Sequence, residues 1–371
     1  MHMPDLVVSL IALALYWASF LAISFFLSKR IRGLRVNPLM IIYRKETTLE
    51  TFGKASYNTV AKILLYAAIA LNFASMLFFY YTIFGVVMAR FVSPESAGGL
   101  VPIIPGITIT GITIVYVLFS IGVSATIHEL SHALASKIVG IPIKAVGFIL
   151  SIFIPAAYVE PDEEKFNSAD RLKKLEVLSA GPASNFIVGL IFLALLGIIA
   201  SPMAGAMITS VDNGYPAEQY GLKPGWVIIA VNGTPIQAPG DLSPIIAQYA
   251  NSTVYFNMTL YDPKTNTTFW KMVYKPDNFS RIGVVLEQAR GPSPIPDSIY
   301  YPLLNLLFYL YIINISLALI NSAPIFITDG GKVVSEIIGW KIKGNAGKAL
   351  NFFIQIFTLL LVLSSITFTP I

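Results

Sequence analysis

Runs of apolar residues too long for a soluble core constrain this chain more than any other feature. Crossing a bilayer takes about 18 or more consecutive, predominantly apolar residues. Six stretches reach that length: Leu6 to Leu27, Ala61 to Met88, Ile109 to Val139, Leu172 to Ala200, Ile299 to Ile320 and Leu350 to Phe368. The 371 residues are 55% hydrophobic and only 12% charged, whereas a soluble domain carries roughly a quarter charged residues. The fold expected is a polytopic α-helical membrane protein with about six transmembrane helices. The first stretch is expected to remain on the chain, because no basic residue precedes it and Ser28, Lys29, Arg30, Ile31 and Arg32 follow it as a stop-transfer pattern.

Short loops rich in Lys and Arg mark the cytoplasmic side of a membrane protein. Lys29, Arg30, Arg32, Arg35, Arg44, Lys45 and Lys54 follow the first span; Lys165, Arg171, Lys173 and Lys174 follow the third; Lys332, Lys341, Lys343 and Lys348 follow the fifth. Only Arg90 follows the second, and neither terminus carries Lys or Arg. Both termini and the segment between spans four and five are therefore expected outside the cytoplasm. A plasma-membrane setting in a prokaryote is consistent with this. The net charge of +5 belongs to these helix-orienting loops, which excludes nucleic acid as the partner they serve and leaves membrane lipids.

Three parts follow from this order: a membrane region over residues 1–204, an external α+β domain over 205–288, and a second membrane region over 289–371. The external segment is polar and rich in turn signals, with Asn-x-Ser/Thr sequons beginning at Asn232, Asn251, Asn257, Asn266 and Asn278. They are either glycosylation sites or the by-product of an Asn- and Thr-rich β domain. The apolar stretch from Ile141 to Val159 is interrupted by Lys144, Gly147 and Pro155. An additional crossing there would put the basic loops on opposite sides, so a membrane-associated β segment is expected, sheltered by surrounding protein.

The chain has no cysteine and three histidines, so a metal site must be built from His, Asp or Glu. Two of the histidines stand in His128-Glu129-Leu130-Ser131-His132. Four residues apart on a helix, the two imidazoles share one face and can reach one ion, while Glu129 is rotated aside, where a general base would stand. Two imidazoles and a carboxylate suit Zn2+ with a fourth position left for water. Ionisable groups inside a membrane each cost about 2.5 kcal/mol or more at the bilayer centre, and such groups are functional by default. The third ligand is expected to be Asp329, within Asn321-Ser322-Ala323-Pro324-Ile325-Phe326-Ile327-Thr328-Asp329-Gly330-Gly331; Asp-Gly-Gly read as a plain turn is the alternative.

These residues together make the chain resemble the site-2 protease family of intramembrane zinc metalloproteases. That family supplies its third ligand from an Asn-x-x-Pro…Asp-Gly motif, matched by Asn321, Pro324, Asp329 and Gly330, with Thr328 where a Leu is usual. Ala180-Gly181-Pro182-Ala183-Ser184-Asn185 is a second family-like element. The resemblance implies that Asn185 assists substrate or oxyanion; Asn314 and Asn321 invite the same reading, each against the alternative of helix packing. The external domain resembles a PDZ module through Gly221-Leu222-Lys223-Pro224-Gly225 and Val231-Asn232-Gly233, with Trp226 in place of an acidic residue; such a module implies peptide binding or a size filter. The partners implied are membrane proteins with a transmembrane helix. That helix must unwind to be cut, and the segment around Gly147 to Val159 is expected to offer it a free strand edge. The readings left open by the residues are a non-proteolytic membrane metalloenzyme, against which Glu129 argues, and a transporter, for which no inverted repeat is found.

Overall fold

The computed structural model describes residues 3–47, 57–92, 98–104, 107–151, 154–200, 202–249, 252–290 and 295–367. The chain forms two compact units, Met1–Leu195 with Asn305–Ile371, and Leu196–Leu304.

The larger unit begins with helix α1 (Met3–Ser28), hairpin strands β1 (Leu34–Asn37) and β2 (Met40–Glu46), and helices α2 (Thr59–Val92) and α3 (Thr113–Val139). Strands β3 (Ile143–Ser151) and β4 (Ile154–Pro161) and helices α4 (Glu163–Ser168) and α5 (Arg171–Ala200) follow. Backbone groups in hydrocarbon have no water to bond, so long apolar runs close their hydrogen bonds within helices. Five helices among the described residues are long and apolar enough to cross a membrane: α2, α3, α5 and, after the second unit, α8 (Asp297–Ser322) and α10 (Gly344–Ser365). Leu77, Phe91 and Ile198 are each more than 70% exposed on them, an arrangement suited to lipid rather than water. The short helix α9 (Asp329–Lys341) lies between α8 and α10.

Gly140 ends α3 in the left-handed region at φ +81°, with its N–H on Lys137 O, and the Ile141 N–H bonds Ser136 O at 2.8 Å. This is a glycine-dependent helix stop, and it turns the chain directly into β3. The segment expected to be β is therefore an antiparallel hairpin, β3 with β4, extended by a second hairpin within the basic stretch that follows the first span; the sheet order is β1-β2-β3-β4. Arg44 on β2 reaches across Gly147 of β3 to Glu160 on β4, with Nε–Oε2 at 3.0 Å and Nη2–Oε1 at 3.2 Å. The guanidinium holds the Glu160 carboxyl below its usual range. The expectation of a free edge along Gly147 to Val159 needs correction: β3 is paired on both sides, so only β4 presents an edge.

The second unit contains β5 (Pro202–Val211), α6 (Pro216–Gln219), β6 (Val227–Val231), β7 (Thr234–Pro235), α7 (Pro239–Ala247), β8 (Val254–Asp262), β9 (Thr267–Lys275) and β10 (Val284–Arg290). The sheet order is β10-β5-β6-β8-β9, with β7 on β6, and it reaches beyond the expected 205–288 at both ends. Side chains alternate across a strand, so Phe256, Met258 and Leu260 of β8 share the buried face with Ile228, Val231 and Val273. Trp226 lies edge-on to Phe269 with the Lys223 and Lys271 ammonium groups over its ring. Of the sequon residues, Asn232 and Asn266 hold left-handed turn positions at φ +50° and +55°, and Asn232 Oδ1 accepts the Asn257 N–H at 2.8 Å; Asn251 lies outside the described residues.

Because β3 is bonded on both sides while β4 is not, proline at Ile149 must break the sheet. Ile149→Pro is expected to lower the thermal unfolding temperature of detergent-solubilised protein by several degrees, as followed by fluorescence.

Candidate metal centre

One face of α3 carries His128 and His132, whose Nε2 atoms lie 3.1 Å apart. Asp329 Oδ2 sits 3.1 Å from each of them. An ion with bonds of 2.0–2.1 Å to tetrahedral ligands separates them by about 3.3 Å, so this nearly equilateral triangle is close to one face of such a polyhedron. Cysteine is absent from the chain, and two imidazoles with one carboxylate match the donor chemistry of zinc.

The orientation of the rings supports the same fit. His132 Nδ1 lies 2.7 Å from the Val177 carbonyl of α5. A carbonyl can only accept, so Nδ1 carries the proton and the Nε2 lone pair is free for a metal. His128 Nδ1 meets the Asn185 side-chain amide at 3.2 Å, and Asn185 Oδ1 is buried without a partner. A half-turn of that amide places Oδ1 on an Nδ1–H and frees Nε2 in the same way.

The space between these atoms is kept open by Gly181. A Cβ on it would lie 2.4 Å from His132 Nε2 and 2.7 Å from His128 Nε2, which is where an ion would stand. The Ala180-to-Asn185 element thus contributes a missing side chain as well as a present one. The sequence signal was there, but small residues in a membrane helix read equally well as packing.

Asp329 is brought in by a tight loop rather than by a turn. After α8 ends at Ser322, the Thr328 hydroxyl caps α9 by accepting the Gly331 N–H at 3.1 Å, and it bonds the Ile325 carbonyl at 3.0 Å. Asp329 is then the first residue of α9, where a carboxylate also meets the positive end of the helix. Gly330 and Gly331 pack so closely on the Ser322 and Ile325 carbonyls that any Cβ would come within 2 Å of those oxygens. Lys174 to Glu336 at 3.2 Å ties α9 to α5, and Ser335 to Asn351 at 3.1 Å ties it to α10. Lys332 Nζ lies 3.6 Å from Asp329 Oδ1, the oxygen turned away from the imidazoles. Thr328, the departure from the family motif, is the residue that shapes this approach.

Glu129 does not join the triangle. Its Oε2 accepts the backbone N–H of Val159, on β4, at 3.0 Å. His128, Glu129, His132, Asp329 and Asn321 all line a cavity of about 920 Å³ whose far wall is Ala156 to Pro161 of β4 together with Phe326 and Ile327. Of the other two asparagines, Asn185 is fully buried with its side chain on His128 Nδ1, and Asn314 is buried and donates to Leu310 O of its own helix at 2.7 Å; the cavity lining includes Asn321.

The sequence model of peptidase family M50 matches residues 116–363, the stretch that carries every residue of this centre. The chain belongs to that family. It is an integral membrane protein by its apolar helices and by this membership. It is 28% identical over 234 residues to an uncharacterized protein of Methanocaldococcus jannaschii, covering 63% of this chain and 57% of that one. It is 23% identical over 243 residues to the zinc metalloprotease RasP of Shouchella clausii, covering 53% and 58%. Over 134 residues it is 31% identical to a membrane-bound transcription factor site-2 protease homolog of Arabidopsis thaliana, covering 34% and 26%. The chain thus spans less than two thirds of the length of each of these relatives.

Gly181→Ala fills the metal position with a methyl group. Zinc affinity of the purified, folded variant, read by chelator competition, is expected to fall by about 10-fold or more, the range of supporting-residue changes. Thr328→Ala removes a cap worth about 1 kcal/mol and is expected to weaken zinc affinity in a chelator competition, with Thr328→Ser recovering most of it.

Proposed function

We propose that this chain is an intramembrane zinc metalloprotease that hydrolyses peptide bonds in or near the transmembrane segments of other membrane proteins. The observation that carries the reading is the convergence of His128, His132 and Asp329 on one point within 3.1 Å of one another, with Glu129 beside them on the same cavity.

His128 and His132 from α3 and Asp329 from α9 would hold the ion. Bound there, zinc supplies a Lewis acid that polarises a carbonyl and lowers the pKa of water to about 7. Glu129 takes the proton from the attacking water and returns it to the departing amine, as a general base and then acid. Asn185 orients His128, Lys332 steadies the outer oxygen of Asp329, and Asn321 faces the substrate. A substrate helix hides its carbonyls in its own hydrogen bonds, so it must be unwound first. The β4 edge along the cavity is suited to hold such a segment extended by strand addition.

The placement of the chain completes this reading. Helix α1 is taken as a sixth span, and the distribution of Lys and Arg puts the termini and the second unit outside the cytoplasm with the metal centre toward the cytoplasmic side. The second unit is taken as PDZ-like, binding peptide or excluding substrates with bulky external parts. A prokaryotic cell membrane fits the whole.

Glu129→Gln is expected to keep zinc within about twofold and to lower cleavage of a model transmembrane peptide by about 10²–10⁴-fold, the range of general acid–base catalysis. Zinc content and gel-based cleavage on the same preparation measure both, and unchanged cleavage would remove Glu129 from the mechanism.

A further inference from the structure

Strand β4 is an unusual edge. Among the described residues it pairs with β3 alone; its outer side starts against α3, with the Pro155 ring on Gly122, and residues 156–161 line the cavity. The Val159 N–H points to that outer side, because it donates to Glu129 on α3. The Asp162 N–H points the opposite way, bonding Pro142 O at 2.8 Å. Along a strand, backbone groups alternate in direction with a period of two, so positions 155, 157, 159 and 161 face outward. Two of them are Pro155 and Pro161, which have no N–H to offer; proline is confined to such edge positions. A third, Val159, has its N–H occupied by Glu129. Ala157 is left as the single outward donor of the strand, while the outward carbonyls remain.

We propose that Glu129, by holding the Val159 N–H, interrupts the β4 edge at one residue, so that a peptide added there is anchored on Ala157 and presents the carbonyl opposite Val159 unpaired. This deepens the strand-addition reading above and rests on it. In an ordinary ladder Val159 would accept that peptide residue as a partner and tie up its carbonyl. Here the carbonyl has no donor on the strand and lies beside Glu129 and the metal ligands. The arrangement works for either direction of the added peptide: the free carbonyl is two residues from the one bonded to Ala157 in both. Val159 therefore acts through its backbone as a positioning residue for Glu129, and Ala157 as the substrate anchor. Pro161 keeps the edge silent beyond the cleaved bond. Strand addition alone selects no bond; the interruption does.

Proline substitutions separate the two amides, since proline already stands at 155 and 161 on the same edge. The probe is a fluorescein-labelled Leu/Ala transmembrane peptide of about 20 residues with Asn-Gly at its centre. Binding is read by anisotropy in the Glu129→Gln background, where an acceptor for the Val159 N–H remains and turnover is slowed by about a hundredfold or more. Ala157→Pro is expected to weaken binding by about 3- to 10-fold, the worth of one hydrogen bond, and Val159→Pro by less than about twofold. In the active enzyme Val159→Pro is expected to lower kcat by about tenfold or more with little change in KM, and Val159→Ala, which keeps the amide, to recover it. A scan of single reduced-amide bonds in the peptide, read on unaltered protein, avoids any folding failure. Loss of the carbonyl two residues from the cleaved bond is expected to weaken binding on one side only. Equal weakening by the two proline variants, or on both sides of the bond in the scan, would overturn the proposal. No effect of Ala157→Pro, with no carbonyl in the scan mattering, would instead sink the strand-addition reading itself.

Discussion

Three ionisable side chains gathered in a buried site need compensation; Lys332, Val177 and Asn185 serve their outer atoms, and a shared ion would serve the three inner ones at once. Two imidazole nitrogens turned toward each other at 3.1 Å with a carboxylate oxygen closing the triangle make poor sense as a packing arrangement. Breaking a buried ionic group apart costs about 3–5 kcal/mol, so the surrounding structure is committed to keeping it together. Much of the larger unit can be read as that commitment: Gly181 makes room, Val177 and Asn185 set the rings, and the Thr328 clasp with its two glycines drives Asp329 inward. Lys174 and Ser335 then fix α9 against its neighbours.

The sheet solves a different problem with the same economy. Strand edges are exposed hydrogen-bonding surfaces that proteins normally blunt, and β4 is blunted by Pro155, Pro161 and Glu129 until little of it remains reactive. Arg44 braces the strand from two positions away through Glu160, so the edge is held firm beside α3.

Much of this was legible in the sequence, and the reason differs by element. The apolar spans and the His128–His132 pair depend on local spacing, which a single chain displays directly. The β character of Ile141 to Val159 was visible because Lys144, Gly147 and Pro155 break a helical reading. Strands β1 and β2 are masked in the sequence by their basic residues, and the pairing of β2 with β3 joins positions about a hundred residues apart that no local pattern connects. Asn37-Pro38 before the run Met40 to Tyr43 was the signal available. Asn185, Asn314 and Asn321 look alike in sequence, and only packing separates the one on His128, the one bonded to its own helix and the one on the cavity. Thr328 looked like a blemish in a motif because the value of a hydroxyl in a loop depends on carbonyls that the loop itself brings near.

The claim on which everything else depends is that α3 and α9 grip one zinc ion jointly. Zinc-edge X-ray absorption on the purified protein, beside Asp329→Ala, tests it most directly. The account predicts one zinc per chain with a first shell of nitrogen and oxygen at about 2.0–2.1 Å in the native protein, and loss of that shell in the variant. An identical spectrum and stoichiometry in the two proteins would contradict it.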